Sequence, residues 1–209
     1  MRLLFFAGST REASYNKKLA RLGQHIAEAN GIEAVFVDLR DYPMPIYDGD
    51  LEAKEGPPDK AREFKALLGE YPGVFIASPE YNSSITPLLK NTLDWVSRVR
   101  EKGETGLEVF KTRVFAISGA SPGYYGAMRS LLTLRQILAV GIGALVIPEQ
   151  IALPRALSSL AMSVSWARCE TGAWSVLTRA MVRLINGKRS STWRRLWTST
   201  CPRARSSAS

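Results

Sequence analysis

Residues 73–98 read GVFIASPEYNSSITPLLKNTLDWVSR, and this stretch decides the fold. It opens with residues 73–78, GVFIAS, which are predicted to form a buried strand. Thr86-Pro87 then supplies a helix N-cap followed by proline at the first helical position. The apolar residues around and after this pair recur at helical spacing; they are Ile85, Leu88, Leu89, Leu93, Val96 and Val99. The stretch therefore predicts a strand, a polar loop and an amphipathic helix.

The same alternation extends on both sides of this stretch. Further apolar runs predict strands at residues 2–7, 33–39, 112–118 and 144–147. Helical patterns are predicted from residue 15 to a cap at Asn30-Gly31, at 59–70 and at 125–140. Pro43 to Pro58 contains four prolines and predicts an irregular loop. Apolar strands that alternate with helices indicate a doubly wound α/β fold, a parallel sheet with helices on both faces.

Composition excludes several classes of site. The sequence contains one histidine and two cysteines, which is too few for a zinc site of Cys and His ligands, so no metal is expected. The longest apolar run, 137–147, has 11 residues, whereas a bilayer span needs about 20. The apolar start of the chain runs directly into polar residues 8–11 and lacks the length of a signal-peptide core. These observations predict a cytoplasmic protein without a membrane span.

Ligands of doubly wound sheets bind outside the carboxyl ends of the strands. The loop after the first strand, residues 8–16, reads GSTREASYN and opens the first predicted helix. A helix N-terminus offers unpaired N–H groups, and this loop adds hydroxyls, an amide and a guanidinium, which favours a phosphate. The loop has neither the GxGxxG of dinucleotide sites nor the GxxxxGK[ST] of P-loops. An ordinary polar turn capped by Ser14 is the alternative.

Two more loops fall at the same predicted edge. Residues 78–84, SPEYNSS, combine small polar groups with one aromatic ring, which suits a planar heteroaromatic ligand. Residues 118–126, SGASPGYYG, contain three glycines that allow a backbone to approach a ligand closely. Each loop alone is also compatible with an ordinary turn. Three such loops at one edge favour a shared ligand site.

Two motifs carry a family resemblance: GSTR followed by SYN in residues 8–16, and SPEYNSSITPLLKNTLDW in residues 78–95. With them the sequence, over roughly residues 1–155, resembles the NADPH-dependent FMN reductase family, a flavodoxin-like group that includes chromate and quinone reductases. The resemblance implies a five-stranded parallel sheet of order 2-1-3-4-5. It also implies a homodimer or homotetramer, because neighbouring subunits in this family typically help to form the flavin pocket.

The resemblance further implies which residues hold FMN. The residues expected at the phosphate are Ser9, Arg11, Ser14, Tyr15 and Asn16. Those expected to line the isoalloxazine are Pro79, Glu80, Tyr81 and Asn82, with Ser118 and Gly119 flanking it from the next strand. The third loop of the family is richer in glycine than residues 118–129 of this chain.

The expected function is that of a flavoenzyme in which NADPH or NADH reduces bound FMN, and FMN reduces a small acceptor such as a flavin, a quinone, an azo dye or an oxyanion. Such chemistry needs orientation and electrostatics rather than a nucleophile or a metal. The lone His25 is then expected to be structural or solvated. A flavodoxin-type electron carrier is the alternative. Carriers of that type are usually strongly acidic, whereas residues 1–150 hold 18 basic and 18 acidic side chains.

The end of the sequence has a different composition. Residues 151–209 hold 10 basic side chains, one acid and four of the five tryptophans. We therefore divide the chain into an FMN-binding domain at 1–155, an atypical final-helix region at 156–187 and a basic tail at 188–209 that is expected to be disordered. One hypothesis is that the stretch after residue 156 is translated out of its ancestral frame. The lesser alternative is a nucleic-acid contact by its Arg and Trp residues.

Overall fold

The computed structural model describes residues 2–101, 103–104 and 107–156. Its sheet is built from five strands: β1 (Arg2–Ala7), β2 (Glu33–Val37), β3 (Gly73–Ala77), β4 (Val114–Ala120) and β5 (Leu145–Leu153). All four strand pairs are parallel, and the spatial order is β2-β1-β3-β4-β5. The order and the doubly wound architecture confirm the fold expected from the sequence.

In the described part of the chain, six α-helices connect the strands: α1 (Tyr15–Ala29), α2 (Gly49–Glu55), α3 (Asp59–Glu70), α4 (Pro87–Arg98), α5 (Glu108–Lys111) and α6 (Met128–Gln136). Side chains of α1 pack with one face of the sheet, where Leu19 joins Leu3 and Phe75. Side chains of α3, α4 and α6 pack with the opposite face, where Phe64, Leu93 and Leu134 join one buried cluster. Both faces of the sheet are therefore covered, as apolar parallel strands require.

The predicted caps of two helices are present. The Ser14 side chain accepts a hydrogen bond from the Lys17 N–H at the start of α1, and the Thr86 side chain accepts one from the Leu89 N–H at the start of α4. At the far end of α1, Asn30 is the C-cap and Gly31 has a φ of 73°. These local signals place both helices because each supplies a partner or a backbone conformation that a helix end needs.

In the first half of the chain, the structure differs from the sequence predictions at two strand ends and at one helix. β2 ends at Val37 because Asp38 caps a 3₁₀ turn at Leu39–Asp41. The segment predicted as an irregular loop contains α2, which Asp48 caps by accepting from the N–H groups of Asp50 and Leu51. β3 ends one residue earlier than predicted, at Ala77.

The second half of the chain shows larger corrections. β4 begins at Val114 rather than residue 112, because the short helix α5 precedes it. The helix predicted at 125–140 is α6 followed by a π-helical turn at Ile137–Gly141. β5 runs past the predicted end at 147 as far as Leu153, and it includes Pro148. An edge strand tolerates proline because one side of it needs no ladder bond, and the register against β4 shifts between Phe115 and Ile117.

Within the described ranges, no helix is long and apolar enough to cross a membrane. The final-helix region predicted from residue 156 and the basic tail predicted at 188–209 lie, apart from Ala156, outside the described residues.

Candidate functional site

Three loops meet at the carboxyl edge of the sheet, and backbone hydrogen bonds hold their first residues together. The Gly8 N–H donates to the Ala77 carbonyl at 2.9 Å, and the Ser78 N–H donates to the Ser118 carbonyl at 2.8 Å. The Thr86 hydroxyl donates to the Gly8 carbonyl at 2.7 Å while it also caps α4. The loops after β1, β3 and β4 therefore start from one rigid frame, as the sequence predicted.

The loop of residues 8–14, called the first loop here, contains both buried hydroxyls and an exposed guanidinium. Ser9 and Ser14 are buried, and their hydroxyls accept hydrogen bonds from the N–H groups of Arg11 and Lys17. Arg11 is exposed, and its guanidinium lies 5.6 Å from the centre of the Tyr15 ring. An exposed guanidinium beside a helix N-terminus is well placed to bind an anion.

Asn16 connects the first loop with the end of β4. Its amide nitrogen donates to the Ala120 carbonyl and its amide oxygen accepts from the Ala120 N–H, both at 2.9 Å. The side chain is buried, so these bonds form in a water-excluded environment. This amide has one N–H left for a ligand. Asn16 thus holds the start of α1 against the end of β4, in addition to its expected contact with the phosphate.

A partly buried ion pair behind the first loop was not predicted. Lys17 donates to the Asp38 carboxylate and to the Thr10 carbonyl, and Arg40 also donates to the Thr10 carbonyl. Asp38 follows β2, whose carboxyl end lies beside that of β1. No site residue was predicted in the loop after β2, although a parallel sheet brings this loop to the same edge as the loop after β1. The charged residues Asp38 and Arg40 in this loop could have indicated such a contact.

The Lys17–Asp38 pair predicts a pH-dependent stability. Burial acts to raise the pKa of Asp38, but the hydrogen bonds from Lys17 and the Arg40 N–H and the charges of both cations outweigh it and lower this pKa below 3.8. A depressed carboxyl pKa stabilises the fold above the unfolded-state pKa, and this stabilisation is lost as the pH falls through the folded-state pKa.

We expect Asp38→Asn to lower the free energy of unfolding by about 2 kcal/mol at pH 7, because it leaves Lys17 buried without its carboxylate. The deficit relative to wild type should narrow only below about pH 4, where the unfolded wild-type chain binds a proton at Asp38 that the folded protein takes up only at lower pH. Urea unfolding of both proteins at pH 7, 5 and 3 measures this. If the stability deficit of Asp38→Asn is the same at all three pH values, the ion pair of Asp38 with Lys17 does not stabilise the fold.

The loop after β3, called the second loop here, ends in a tight turn. Tyr81 and Ser84 exchange backbone hydrogen bonds of 3.0 Å, and the central residues Asn82 and Ser83 have φ angles of 49° and 67°. Two consecutive positive φ angles define a type I′ turn, which costs energy without glycine. Pro79 is buried, while Tyr81 and Asn82 are exposed. The turn therefore displays an aromatic ring and an amide at the edge.

Glu80 points from the second loop to α6. Its carboxylate accepts from the backbone N–H groups of Arg129 at 3.0 Å and Ser130 at 3.3 Å, and it pairs with the Arg129 guanidinium. Only 9% of the Glu80 side chain is exposed. A carboxylate at a helix N-terminus satisfies free N–H groups and interacts well with the helix dipole. Glu80 therefore fixes the second loop against α6, a contact between residues 49 apart that no local pattern signals.

The loop after β4, residues 121–127, is called the third loop. A Cβ on Gly119 would lie 2.8 Å from both the Ala127 Cβ and the Ser78 carbonyl oxygen, so this position must be glycine for the third loop to pack. The neighbouring Ser118 hydroxyl is fully buried and has no hydrogen-bond partner among the described residues. Ser118 and Gly119 thus lie beneath the third loop, and they bring it close to the second.

The third loop is also bonded to the end of β5. The Ser121 N–H donates to the Leu153 carbonyl, the Arg155 N–H to the Gly123 carbonyl and the Ala156 N–H to the Ser121 carbonyl, at 3.0 to 3.2 Å. Tyr124 and Tyr125 are exposed on this loop. Residues 153–156, at the end of β5 and just beyond it, therefore support the third loop through backbone hydrogen bonds.

The described residues hold no group of three His, Cys, Asp or Glu side chains that is suited to a metal. His25 lies on α1 with 73% of its side chain exposed, 3.3 Å from the Glu28 carboxylate. It is solvated, as predicted. The edge offers an anion-binding loop, exposed aromatic rings and backbone donors, which is the chemistry that a flavin mononucleotide requires.

A parallel sheet of order 2-1-3-4-5 with these loops at its carboxyl edge defines a protein of the flavodoxin-like class. The family model for NADPH-dependent FMN reductases matches residues 1–158. The chain belongs to this family, and the resemblance read from its two motifs is confirmed.

Relatives and solved structures agree with this assignment. The quinone reductase of Escherichia coli strain K12 is 33% identical over 138 residues, which are 66% of this chain and 69% of that protein. The NAD(P)H:quinone oxidoreductase of Solanum tuberosum is 36% identical over 132 residues, 62% of this chain and 63% of that protein. The flavoenzyme NAD(P)H:(acceptor) oxidoreductase FerB of Paracoccus denitrificans has a similar structure, with a TM-score of 0.58, 29% identity and coverage of 71% of this chain and 77% of FerB.

Proposed function

We propose that this protein is an NAD(P)H-dependent oxidoreductase that binds FMN non-covalently and reduces a small acceptor, with quinones and free flavins as the first candidates. The composition and geometry of the first loop support this proposal most directly. It combines an exposed arginine, a helix N-terminus and buried hydroxyls beside two loops that display aromatic side chains. The family match over residues 1–158 supports FMN as the ligand of this loop.

The residues divide into those that would touch FMN and those that shape its site. Arg11, Ser9 and the N–H groups of the first loop would hold the phosphate, with Ser14, Tyr15 and Asn16 beside them. Pro79, Tyr81 and Asn82 would line the ring. Glu80, Ser118 and Gly119 would act mainly through the loops that they position.

FMN supplies the redox chemistry when it is bound, since its isoalloxazine accepts a hydride from NAD(P)H and passes two electrons to an acceptor. The protein contributes orientation. Thr86, Asn16 and Glu80 fix the three loops relative to one another, so the phosphate and ring subsites keep a constant separation. Pre-organisation of this kind avoids an ordering cost when ligands bind.

The purified protein should be yellow or become yellow when FMN is added, and it should oxidise NADPH or NADH with a quinone as acceptor. The same assay separates this proposal from a flavodoxin-type electron carrier, which would bind FMN but would not turn over NAD(P)H. A protein that shows no tight FMN binding would contradict the proposal. The homodimer or homotetramer and the cytoplasmic location remain predictions, to be checked by light scattering and by cell fractionation.

Arg11→Ala should weaken FMN binding by about 10- to 100-fold, because it removes a charge-assisted contact to the phosphate. Riboflavin lacks the phosphate and should bind both proteins equally. Quenching of flavin fluorescence measures both affinities. Lys18→Ala, which removes the same charge from an exposed position on α1, serves as the control. Equal losses for FMN and riboflavin would show that Arg11 supports the fold rather than the phosphate.

A further inference from the structure

The buried cation behind the first loop has no place in the function proposed so far. Lys17 lies in the first turn of α1, and only 8% of its side chain is exposed. Its ammonium donates to the Thr10 carbonyl at 3.1 Å and to the Asp38 carboxylate. Arg40, two residues beyond Asp38, donates to the same carbonyl from its exposed guanidinium. One loop carbonyl thus accepts hydrogen bonds from two cationic side chains of different elements.

These two donors decide which way the Thr10–Arg11 peptide faces. The C=O and N–H groups of a planar trans peptide point in opposite directions, and the described residues contain no cis peptide. With the Thr10 carbonyl turned to Lys17 and Arg40, the Arg11 N–H must face the other side, where it donates to the Ser9 hydroxyl at 3.2 Å. The Ser9 hydroxyl and this N–H are groups that an anion in the first loop would use.

The charge of Lys17 is balanced where it lies. A buried ammonium is costly unless a carboxylate pairs with it, and Asp38 supplies that partner. The direct contact of Lys17 with the first loop is its hydrogen bond to the Thr10 carbonyl, so we expect its effect on the loop to come chiefly through that carbonyl.

We propose that Lys17 and Arg40 are positioning residues for the phosphate subsite: they fix the Thr10–Arg11 peptide so that its N–H, and the Ser9 hydroxyl to which it donates, lie on the side where the FMN phosphate would bind, and Asp38 holds Lys17 in place. The inference rests on the proposed FMN site and assigns a role to three residues outside it.

The first test compares FMN with riboflavin in the full-length protein carrying Lys17→Met, which keeps the apolar stem and removes the donor. FMN should bind about tenfold more weakly, and riboflavin should change by less than about twofold. Arg40→Met tests the same contact from an exposed position that does not endanger the fold, with an expected loss of about threefold for FMN alone. Arg21→Met is the matched control, because this exposed arginine packs over Phe36 instead.

A second test separates positioning from electrostatic attraction. Asp38→Asn leaves the Lys17 charge without its partner, so an electrostatic role predicts tighter FMN binding and a steeper salt dependence. Positioning predicts the opposite, weaker FMN binding, because Lys17 loses the group that holds it. The salt dependence of FMN binding should stay at its wild-type slope in Lys17→Met and fall in Arg11→Ala.

The outcomes distinguish this inference from the function on which it rests. Unchanged FMN binding in both Lys17→Met and Arg40→Met, tighter binding in Asp38→Asn, or equal losses for FMN and riboflavin would each overturn the positioning role while the proposed function stands. A wild-type protein that binds neither FMN nor riboflavin would overturn the proposed function, and the positioning role with it.

Discussion

Replacing Gly126 by alanine should lower the free energy of unfolding by about 3 kcal/mol and weaken FMN binding. Gly126 has a φ of 59°, and a Cβ there would lie 2.6 Å from the Pro154 nitrogen and 2.7 to 2.8 Å from backbone atoms of Leu153. These neighbours are backbone atoms that belong to β5 and its continuation, so no side chain can rotate away. The third loop must detach from residues 153–156 or push them outward.

Gly123→Ala is the matched control for this experiment. It lies in the same loop, and the nearest atom to its added Cβ would be the Ser121 hydroxyl oxygen at 3.7 Å. Its stability should remain within about 0.5 kcal/mol of wild type or rise slightly, since alanine restricts the unfolded chain. Denaturant unfolding and FMN titration of both variants provide the comparison. Similar stability of the two variants would show that the contact between the third loop and β5 is not needed.

Asn16→Ala should cost about 3 kcal/mol of stability. The substitution leaves the buried N–H and C=O of Ala120 without the amide that serves both, and each lost buried partner costs roughly 1 to 3 kcal/mol. The first and third loops would then be free to separate, so FMN binding should weaken as well.

The control for Asn16 is Gln24→Ala on the same helix. The Gln24 amide also reaches a backbone carbonyl, that of Ala34, but at 3.4 Å and only partly buried. Its loss should cost less than about 0.5 kcal/mol. Urea unfolding monitored by far-UV circular dichroism compares the two variants. If Asn16→Ala is as stable as Gln24→Ala, the amide is not the brace that its geometry indicates.

Local sequence signals were sufficient for the fold because they act within one turn or one strand. Thr86-Pro87 and Ser14 mark helix starts by their own hydrogen bonds. The helix α2 was missed because the prolines around it were given more weight than its signals, although Asp48 caps it and Gly56 ends it with a φ of 75°. The extension of β5 through Pro148 depends on its being an edge strand, a property that only the assembled sheet has.

The candidate site was predicted at the level of loops but not of contacts. The loops after β1, β3 and β4 do meet at one edge, which follows from parallel pairing alone. The roles of Asn16 and Glu80 depend on partners 104 and 49 residues away, and the partner of Lys17 is 21 residues away. No pattern within a helix or a strand encodes such pairs, so the bracing of the site required the structure.

The bonds between residues 121–123 and 153–156 also bear on when the site can close during synthesis. A chain is made from its N-terminus, and its parts fold as they become available. The first and second loops have their backbone frame once β4 has been made, and α6 adds the partners of Glu80. The third loop must wait about 30 residues longer for Leu153, Arg155 and Ala156. A nascent chain that ends before Pro154 would therefore carry the first and second loops without the bonds that support the third loop, and we expect FMN to bind only after residue 156 has left the ribosome.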